Sequence, residues 1–313
     1  MFSIVIATYN GEKTLPLTLS ALANIQIPEE GFEVIAIDNG STDNTRKALR
    51  TWSKNLPLKI ISESRRGKAF AINTGIEASS GKFLVFLDDD VLPEKDWLIQ
   101  LAEYAGANES VAVFAGQVRH FWEKEPPDWL QQLAIEGRAF GGTKKSRRQG
   151  PMALGDIGDV KGANFMIRSR VAKFIGFCEE GAKNFTGEAG SAGGEDTEFV
   201  RQAIISGERV DFVAGACVRH IVRPEEVRIG ALVRRYVRLG RAAAVRQGSA
   251  SFGGAVTAFG YPRYLAKTLI RKLGKVVWNL AIGRRYDAAN EILDVAVIWG
   301  KARQFKNDVV DKK

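Results

Sequence analysis

The sequence predicts an α/β fold in which a mostly parallel sheet is flanked by helices and followed by a helical C-terminal extension. Three observations carry that expectation. The first hundred residues alternate between β-rich apolar runs and segments with helical spacing. Strand–helix–strand units at this spacing form right-handed crossovers in an α/β domain. The runs themselves are almost continuously apolar, as strands covered on both faces by helices must be. From about residue 226 the pattern turns helical and basic.

Taken in order, Ser3–Ala7 reads as a buried strand and Thr14–Ala23 as a helix. Val34–Ile37 is the second strand. Ser41-Thr-Asp-Asn-Thr45 then offers several N-caps for a helix over Thr42–Trp52. Leu58–Ile61 is a weaker strand, Lys68–Ala78 a helix, and Phe83–Leu87 a further buried strand. Beyond residue 110 the pattern is less regular, with strands expected over Val111–Val118, Asp159–Ile167 and Val210–Ile221. Gly141–Gly158 and Lys183–Gly194 read as loops, long enough to carry function. In Arg263–Ile282, the residues Leu265, Leu269, Leu273, Val276 and Leu280 form one helical stripe. Lys267, Arg271 and Lys275 form another. There are no internal repeats.

A chain of 313 residues, 45% hydrophobic and 26% charged, is long enough to bury its own core. Disorder, collagen-like repeats and a disulfide scaffold are excluded as whole-chain descriptions. Two cysteines, Cys178 and Cys217, cannot alone form a metal knuckle, and they suit a reducing compartment. No run approaches the roughly 18 apolar residues of a membrane span. Phe2–Ala7 follows no basic leader, which argues against a signal peptide and for a cytoplasmic location. The net charge of +9 is unevenly placed: residues 226–313 hold 18 Lys/Arg against 6 Asp/Glu, a net of +12, and residues 1–225 a net of −3.

Two of the strands end in acid. Val34–Ile37 runs into Asp38-Asn39-Gly40-Ser41, and Phe83–Leu87 into Asp88-Asp89-Asp90. Ligands of open α/β sheets sit beyond the carboxyl ends of the strands. Three successive aspartates there repel one another unless a counter-ion intervenes. Hard divalent cations take carboxylate oxygens and bridge to substrate phosphates, so a strand-terminal Asp-x-Asp points to a metal–diphosphate site. The competing reading is a solvated acidic turn. No G-x-G-x-x-G follows the first strand and no G-x-x-x-x-G-K-[ST] occurs. The phosphates are therefore expected on a metal rather than in a glycine-rich loop.

The ordered set Ser3-Ile-Val-Ile-Ala-Thr-Tyr-Asn10, Val34-Ile-Ala-Ile-Asp-Asn-Gly-Ser-Thr-Asp43, Arg66-Gly-Lys68 with Asn73, Phe86-Leu-Asp-Asp-Asp90 and Gly194-Glu-Asp-Thr-Glu198 resembles family 2 glycosyltransferases of the GT-A fold. The resemblance covers about residues 1–225. It implies a nucleotide-sugar-binding half over 1–110, an acceptor-binding and catalytic half over 111–225, and an extension over 226–313. It further implies transfer of a sugar, with inversion, from a nucleotide-diphospho-sugar, most often UDP-linked, to a glycan or lipid-linked acceptor. Residue by residue, Ala7, Tyr9 and Asp38 match the base pocket. Arg66 and Lys68 match groups reaching the base or diphosphate. Asp88 and Asp90 match the Asp-x-Asp pair, with Asp90 on Mn²⁺ or Mg²⁺, Asp88 on the ribose or the metal's shell, and Asp89 at the variable middle place. Asp196 matches the catalytic base, with Glu195 as the alternative. An N-cap for the helix Thr197–Ile205 is compatible with either role. His220 matches a histidine that completes the metal site. Asn164, after Gly162-Ala163, matches a position lining donor sugar and acceptor. His120 is expected to pack or lie near the acceptor. Trp122 and Trp129 are expected either to stack on an acceptor sugar or to fill a core.

The basic extension admits two readings, an amphipathic surface for an anionic membrane or a helical subdomain packed on the catalytic core. Arg234-Arg235, Arg271-Lys272 and Arg284-Arg285, with Tyr264 and Trp278 nearby, suit the first. Nucleic acid is not expected, because the aromatics form no stacking platform. Two competing functions are a metal-dependent nucleotidyltransferase and a non-catalytic nucleotide- or glycan-binding scaffold.

Overall fold

The computed structural model describes residues 1–177, 195–247, 257–258 and 261–310. Cys178, the Lys183–Gly194 loop and the Glu195 side chain lie outside the described part. Among the described residues, one compact unit holds 1–121, 135–177 and 195–221. A second holds 122–134 and the described part of 222–313.

In the first unit, β1 (Phe2–Thr8), β2 (Phe32–Asp38), β3 (Leu58–Ser62) and β4 (Phe83–Leu87) alternate with α1 (Leu15–Leu22), α2 (Thr45–Trp52) and α3 (Lys68–Ala78). In chain order there follow β5 (Val91–Pro93), α4 (Trp97–Ala107), β6 (Val111–Trp122), α5 (Asp128–Ile135, which falls in the second unit up to residue 134), β7 (Gly150–Pro151), β8 (Asn164–Arg168), α6 (Ser169–Ile175), α7 (Glu195–Ile205) and β9 (Arg209–Val222). The sheet has nine strands in the order β3-β2-β1-β4-β8-β6-β9-β5, with β7 beside β9. The half β3-β2-β1-β4 is parallel. Across β4 the pairing becomes antiparallel, beginning with β8. The expected halves 1–110 and 111–225 thus contribute to one sheet.

Alternation sorts the strands onto two cores. Ile4, Ile6, Val34 and Val85 pack with Leu15, Leu19, Trp97 and Leu101 on one face. Val5, Ile35, Ile37 and Phe86 pack with Phe70, Ile76, Phe165 and Phe212 on the other. This is why the strands read as unbroken apolar runs: both faces are covered, and each fully buried aliphatic side chain contributes about 1.5–3 kcal/mol.

Several elements escaped the sequence reading. β5 has only three residues, too few to show a period. α4 does carry a helical signal, with Trp97, Leu98, Leu101 and Ala105 all buried on one face. The expected strand Asp159–Ile167 is only Asn164–Arg168, preceded by a 3₁₀ turn over Leu154–Asp159. That turn and β7 also occupy the stretch read as a loop over 141–158. Residues 122–134 leave the sheet and cluster with the second unit. At that point the Glu123 N–H donates to Val222 O at 3.2 Å.

The second unit is built on α8 (Ile229–Gln247), α9 (Arg263–Ala281) and α10 (Arg285–Val310). α8 and α10 cross through glycine: a β-carbon on Gly240 would lie 2.1 Å from Val297 O, and one on Gly300 2.1 Å from Val237 O. The face that α9 buries is not the expected five-residue stripe. Leu265 and Val276 are buried, but Leu273 and Leu280 are exposed. Lys272 takes part in the inner face, its ammonium 2.8 Å from Glu291 and 2.7 Å from Asp294 of α10. Among the described residues no helix is long and apolar enough to cross a membrane.

Candidate active site

The parallel strands deliver their C-terminal ends to one edge, and the loops there are held by short-range polar chemistry. Register pairs Thr8 with Asp38, so the turns after β1 and β2 emerge side by side. Asn10 takes a left-handed backbone, φ 55°. Its side-chain oxygen accepts from the Thr42 N–H at 2.8 Å, and its own N–H donates to the Ser41 hydroxyl at 3.0 Å. Asn and Asp tolerate this conformation better than most residues. Tyr9 is left projecting, 49% exposed, with the Arg66 guanidinium 5.9 Å from its ring centre. Together they form an exposed planar surface suited to stacking. Ala7 is half-buried at the end of β1.

Asn39 was assigned no role from sequence, yet it organises this edge. It is buried, donates to the carbonyls of Glu63 and Arg65 at 3.1 and 2.8 Å, and accepts from the Gly67 N–H at 2.9 Å. These three bonds shape the 63–67 turn that carries Arg66. Its neighbour Asp38, expected in the base pocket, also holds the loops of this edge. Only 1% of it is exposed. One carboxylate oxygen accepts from the Ser41 N–H at 2.9 Å and the other from Arg46 at 3.0 Å. These two bonds give Asp38 a loop-holding role.

The three aspartates after β4 do not share one counter-ion. Lys68 sits at 2.6 Å from Asp88. The Thr8 hydroxyl, at the end of β1, donates to Asp89. His220 Nε2 lies 3.3 Å from Asp90 Oδ2. The last contact follows from strand register, since Val91 of β5 pairs with His220 of β9 and the Ile221 N–H donates to Asp90 O at 2.8 Å. Burial first, then the charges of Asp90 and Asp88, push the Asp89 carboxyl up to about 7, against the opposing Thr8 hydrogen bond. Among the described residues no three His, Cys, Asp or Glu side chains gather into a ligand cluster. Asp90 and His220 form a two-donor edge. Such an edge suits a cation that draws its remaining ligands from a diphosphate and water rather than from an all-protein cage.

Asp196 lies in the first turn of α7, inside the helix and not ahead of it. Its carboxylate is pressed against Gly162: a β-carbon there would stand 2.0 Å from Asp196 Oδ2. Leu87 pairs with Asn164, so the residues just beyond, Asp88 on one strand and Ala163-Gly162 on the other, adjoin. Asp196 is thereby brought to the sheet edge that carries Asp88–Asp90, although 106 positions of chain separate it from Asp90.

Asn164, expected to line donor sugar and acceptor, sits within the sheet. It is wholly buried. Its oxygen accepts from the Trp97 indole N–H at 2.8 Å, and its amide donates to Gln117 O and Ala216 O at 2.9 and 2.8 Å. These bonds join β8 to α4, β6 and β9. His120 packs edge-on against Phe140, ring centres 6.0 Å apart. Trp122 ends β6 and Trp129 lies in α5, both half-buried. Cys217 is buried, and burial raises its thiol to about 11, so it is inert.

Comparison with known proteins follows the same lines. Glycosyltransferase AglE of Haloferax volcanii is 38% identical over 99 residues, 31% of this chain and 32% of that one. Succinoglycan biosynthesis protein ExoM of Rhizobium meliloti is 27% identical over 242 residues, 76% of this chain and 72% of that one. Poly-beta-1,6-N-acetyl-D-glucosamine synthase of Staphylococcus epidermidis is 33% identical over 178 residues, covering 56% and 42%. The matches thus span about a third of AglE and less than half of the synthase. Among solved structures, residues 1–349 of S. aureus TarS superpose with a TM-score of 0.55 at 18% identity, over 97% of this chain and 91% of that one. The mannosyltransferase PcManGT from Pyrobaculum calidifontis gives 0.56 at 19%, over 95% and 86%. At these identities the likeness concerns the fold, which is GT-A. The model of Glycosyl transferase family 2 matches residues 3–176, more than half of a sequence whose strand-end acids, Asp196 and His220 meet at one sheet edge, and the chain belongs to that family.

Proposed function

We propose that this chain is an inverting glycosyltransferase that moves a sugar from a UDP-sugar to a hydroxyl of a glycan or lipid-linked acceptor. The observation that carries the reading is the placement of Asp196. Its carboxylate abuts Gly162, and the Gly162–Asn164 segment adjoins the end of β4 that bears Asp88, Asp89 and Asp90. One edge then holds both the acids that bind a diphosphate and a separate carboxylate able to take a proton.

The base of the nucleotide stacks on Tyr9, with Arg66 beside it. Lys68 faces the diphosphate, and its contact with Asp88 fixes its ammonium near that group. Asp90 and His220 would hold a divalent cation, Mn²⁺ or Mg²⁺. When bound, that cation neutralises charge on the leaving group. Asp196 takes the acceptor hydroxyl proton as the acceptor oxygen bonds to the anomeric carbon. The bond from that carbon to the diphosphate oxygen breaks on the opposite side, and UDP departs. A positioned base of this kind is worth about 10²–10⁴-fold. A UDP-GlcNAc complex of TarS and a GDP-Man and Mn²⁺ complex of PcManGT support the donor class and the cation.

The test is product analysis with a panel of nucleotide sugars in Mn²⁺. Release of UDP is expected. Formation of UTP and sugar-1-phosphate when pyrophosphate is added, in place of UDP, would convert the assignment to a nucleotidyltransferase. Asp196→Asn and Asp90→Asn are each expected to cost at least about 10² in turnover, and full activity in both would sink the proposal.

A further inference from the structure

Nothing in the proposed chemistry uses α9, and its outer face has an unusual composition. Ile270 is 71% exposed, Val277 68%, Trp278 66% and Leu280 56%, with Leu273 at 46%. At 100° per residue, Ile270, Leu273, Val277 and Leu280 fall within one arc of the helix. They extend over about 15 Å of its axis at 1.5 Å per residue. Lys267, Arg271 and Lys275, all exposed, line one edge of that arc together with Tyr264 and Trp278. The opposite face is the one already committed, through Leu265, Val276 and the bridge from Lys272 to α10. α9 holds five basic residues and no acidic one. The acids of α10 near it, Glu291 and Asp294, are engaged by Lys272 and Lys275.

We propose that α9 lies in the plane of an anionic lipid surface, its Ile270–Leu280 arc sunk to the acyl boundary and its basic edge on the headgroups. Charge complementarity selects this occupant. A second copy packed on the same arc would bring two basic edges together with no acid between them. A lipid surface supplies the missing negative charge and accepts a broad, ungrooved apolar face. The phenol of Tyr264 and the indole of Trp278, apolar bodies with a polar edge, lie among Lys267, Arg271 and Lys275 on the basic edge, where such side chains suit the headgroup level. Arg284 and Arg285, both exposed, extend the basic edge past the end of the helix. A spanning orientation is excluded for α9 by its charges. The inference is independent of the catalytic assignment.

The experiment is flotation of the full chain with phosphatidylcholine vesicles, alone and with about a quarter phosphatidylglycerol, alongside two variants whose fold is checked by circular dichroism. Binding to the anionic vesicles is expected, with a large loss in about 1 M salt, where screening shortens to about 3 Å. Lys267→Gln with Arg271→Gln should reduce the partition about 25-fold, from roughly fivefold per cation. Val277→Ser with Trp278→Ser, at two exposed positions, should reduce it at least about tenfold. Failure to float with anionic vesicles in low salt overturns the proposal, as does equal binding by the parent and both variants. A concentration-dependent dimer that Val277→Ser with Trp278→Ser abolishes, without vesicle binding, assigns the face to a second copy instead.

Discussion

Replacing Gly162 with alanine isolates the contact on which the catalytic assignment rests. The new methyl carbon would stand 2.0, 2.3 and 2.5 Å from Oδ2, Cγ and Oδ1 of Asp196. Non-bonded atoms of this size settle at about 3.5–4.0 Å, so the carboxylate must retreat by on the order of 1.5 Å. The obstacle meets the tip of a short side chain and not backbone, so a rotation of Asp196 is the cheapest relief. The cost in stability should be about 1 kcal/mol. A misplacement of about 1 Å costs on the order of 10²-fold in rate, and full loss of a base 10²–10⁴-fold. Gly162→Ala is therefore expected to lower kcat by about 10²–10³-fold with little change in donor KM. Steady-state UDP release at fixed acceptor measures this, beside Asp196→Asn and a thermal melt. The double variant should be no slower than Asp196→Asn alone, since both changes remove one function. Parent-level kcat in Gly162→Ala would refute the reasoning. So would multiplicative losses in the double variant, which would mean that the glycine acts by another route.

Four further predictions follow from particular contacts. Asn164→Ala strands the Trp97 indole N–H and two carbonyls. At about 1–3 kcal/mol per buried unpaired group, urea unfolding should show a loss of about 3 kcal/mol or more with donor KM unchanged. Native stability with a raised donor KM would favour a donor-binding role. His220→Ala should weaken Mn²⁺ binding in the presence of UDP about 10–100-fold by calorimetry, and unchanged affinity would remove His220 from the cation site. Gly300→Ala, with its new carbon 2.1 Å from Val237 O, should destabilise the helical unit by about 1–3 kcal/mol, seen as an earlier far-ultraviolet melt. Finally, hydrogen bonds from Arg65, and then Thr74, hold the Glu63 carboxyl down to about 2. A depressed acid stabilises the fold above its ordinary pKa of 4.5, and that stabilisation disappears as pH falls from 4.5 through 2. The melting temperature should drop across that window in the parent and less steeply in Glu63→Gln.

Tyr9 and the Asp88–Asp90 run were legible because their signal is local: an aromatic or an acid directly after a buried strand points to the sheet edge whatever the rest of the chain does. Asp38 was placed on the right strand end, but its loop-holding contacts were not foreseen. Burial by Arg46 and Ser41 is a property of the α2 turn and not of the residue. The contacts of Asn164 were hidden in the same way. Its environment consists of α4, β6 and β9, none adjacent to it in sequence. Asn39, Thr8 and Gly162 carried no separate signal, since each matters through a partner 24 to 81 positions away. On α9 the apolar stripe was visible, but not which side of it would be covered.

The sequence by itself determined the α/β class, the four parallel strands, the acids at their ends and the concentration of positive charge after residue 225, because strand period, apolar continuity and composition are properties of neighbouring residues. Only the tertiary structure decided that Lys68, Thr8 and His220 divide the three aspartates among them, that Asp196 rests on Gly162, and that the outer arc of α9 is left bare. Those outcomes depend on strand register and helix packing, which bring together groups whose separation along the chain says nothing about their separation in space.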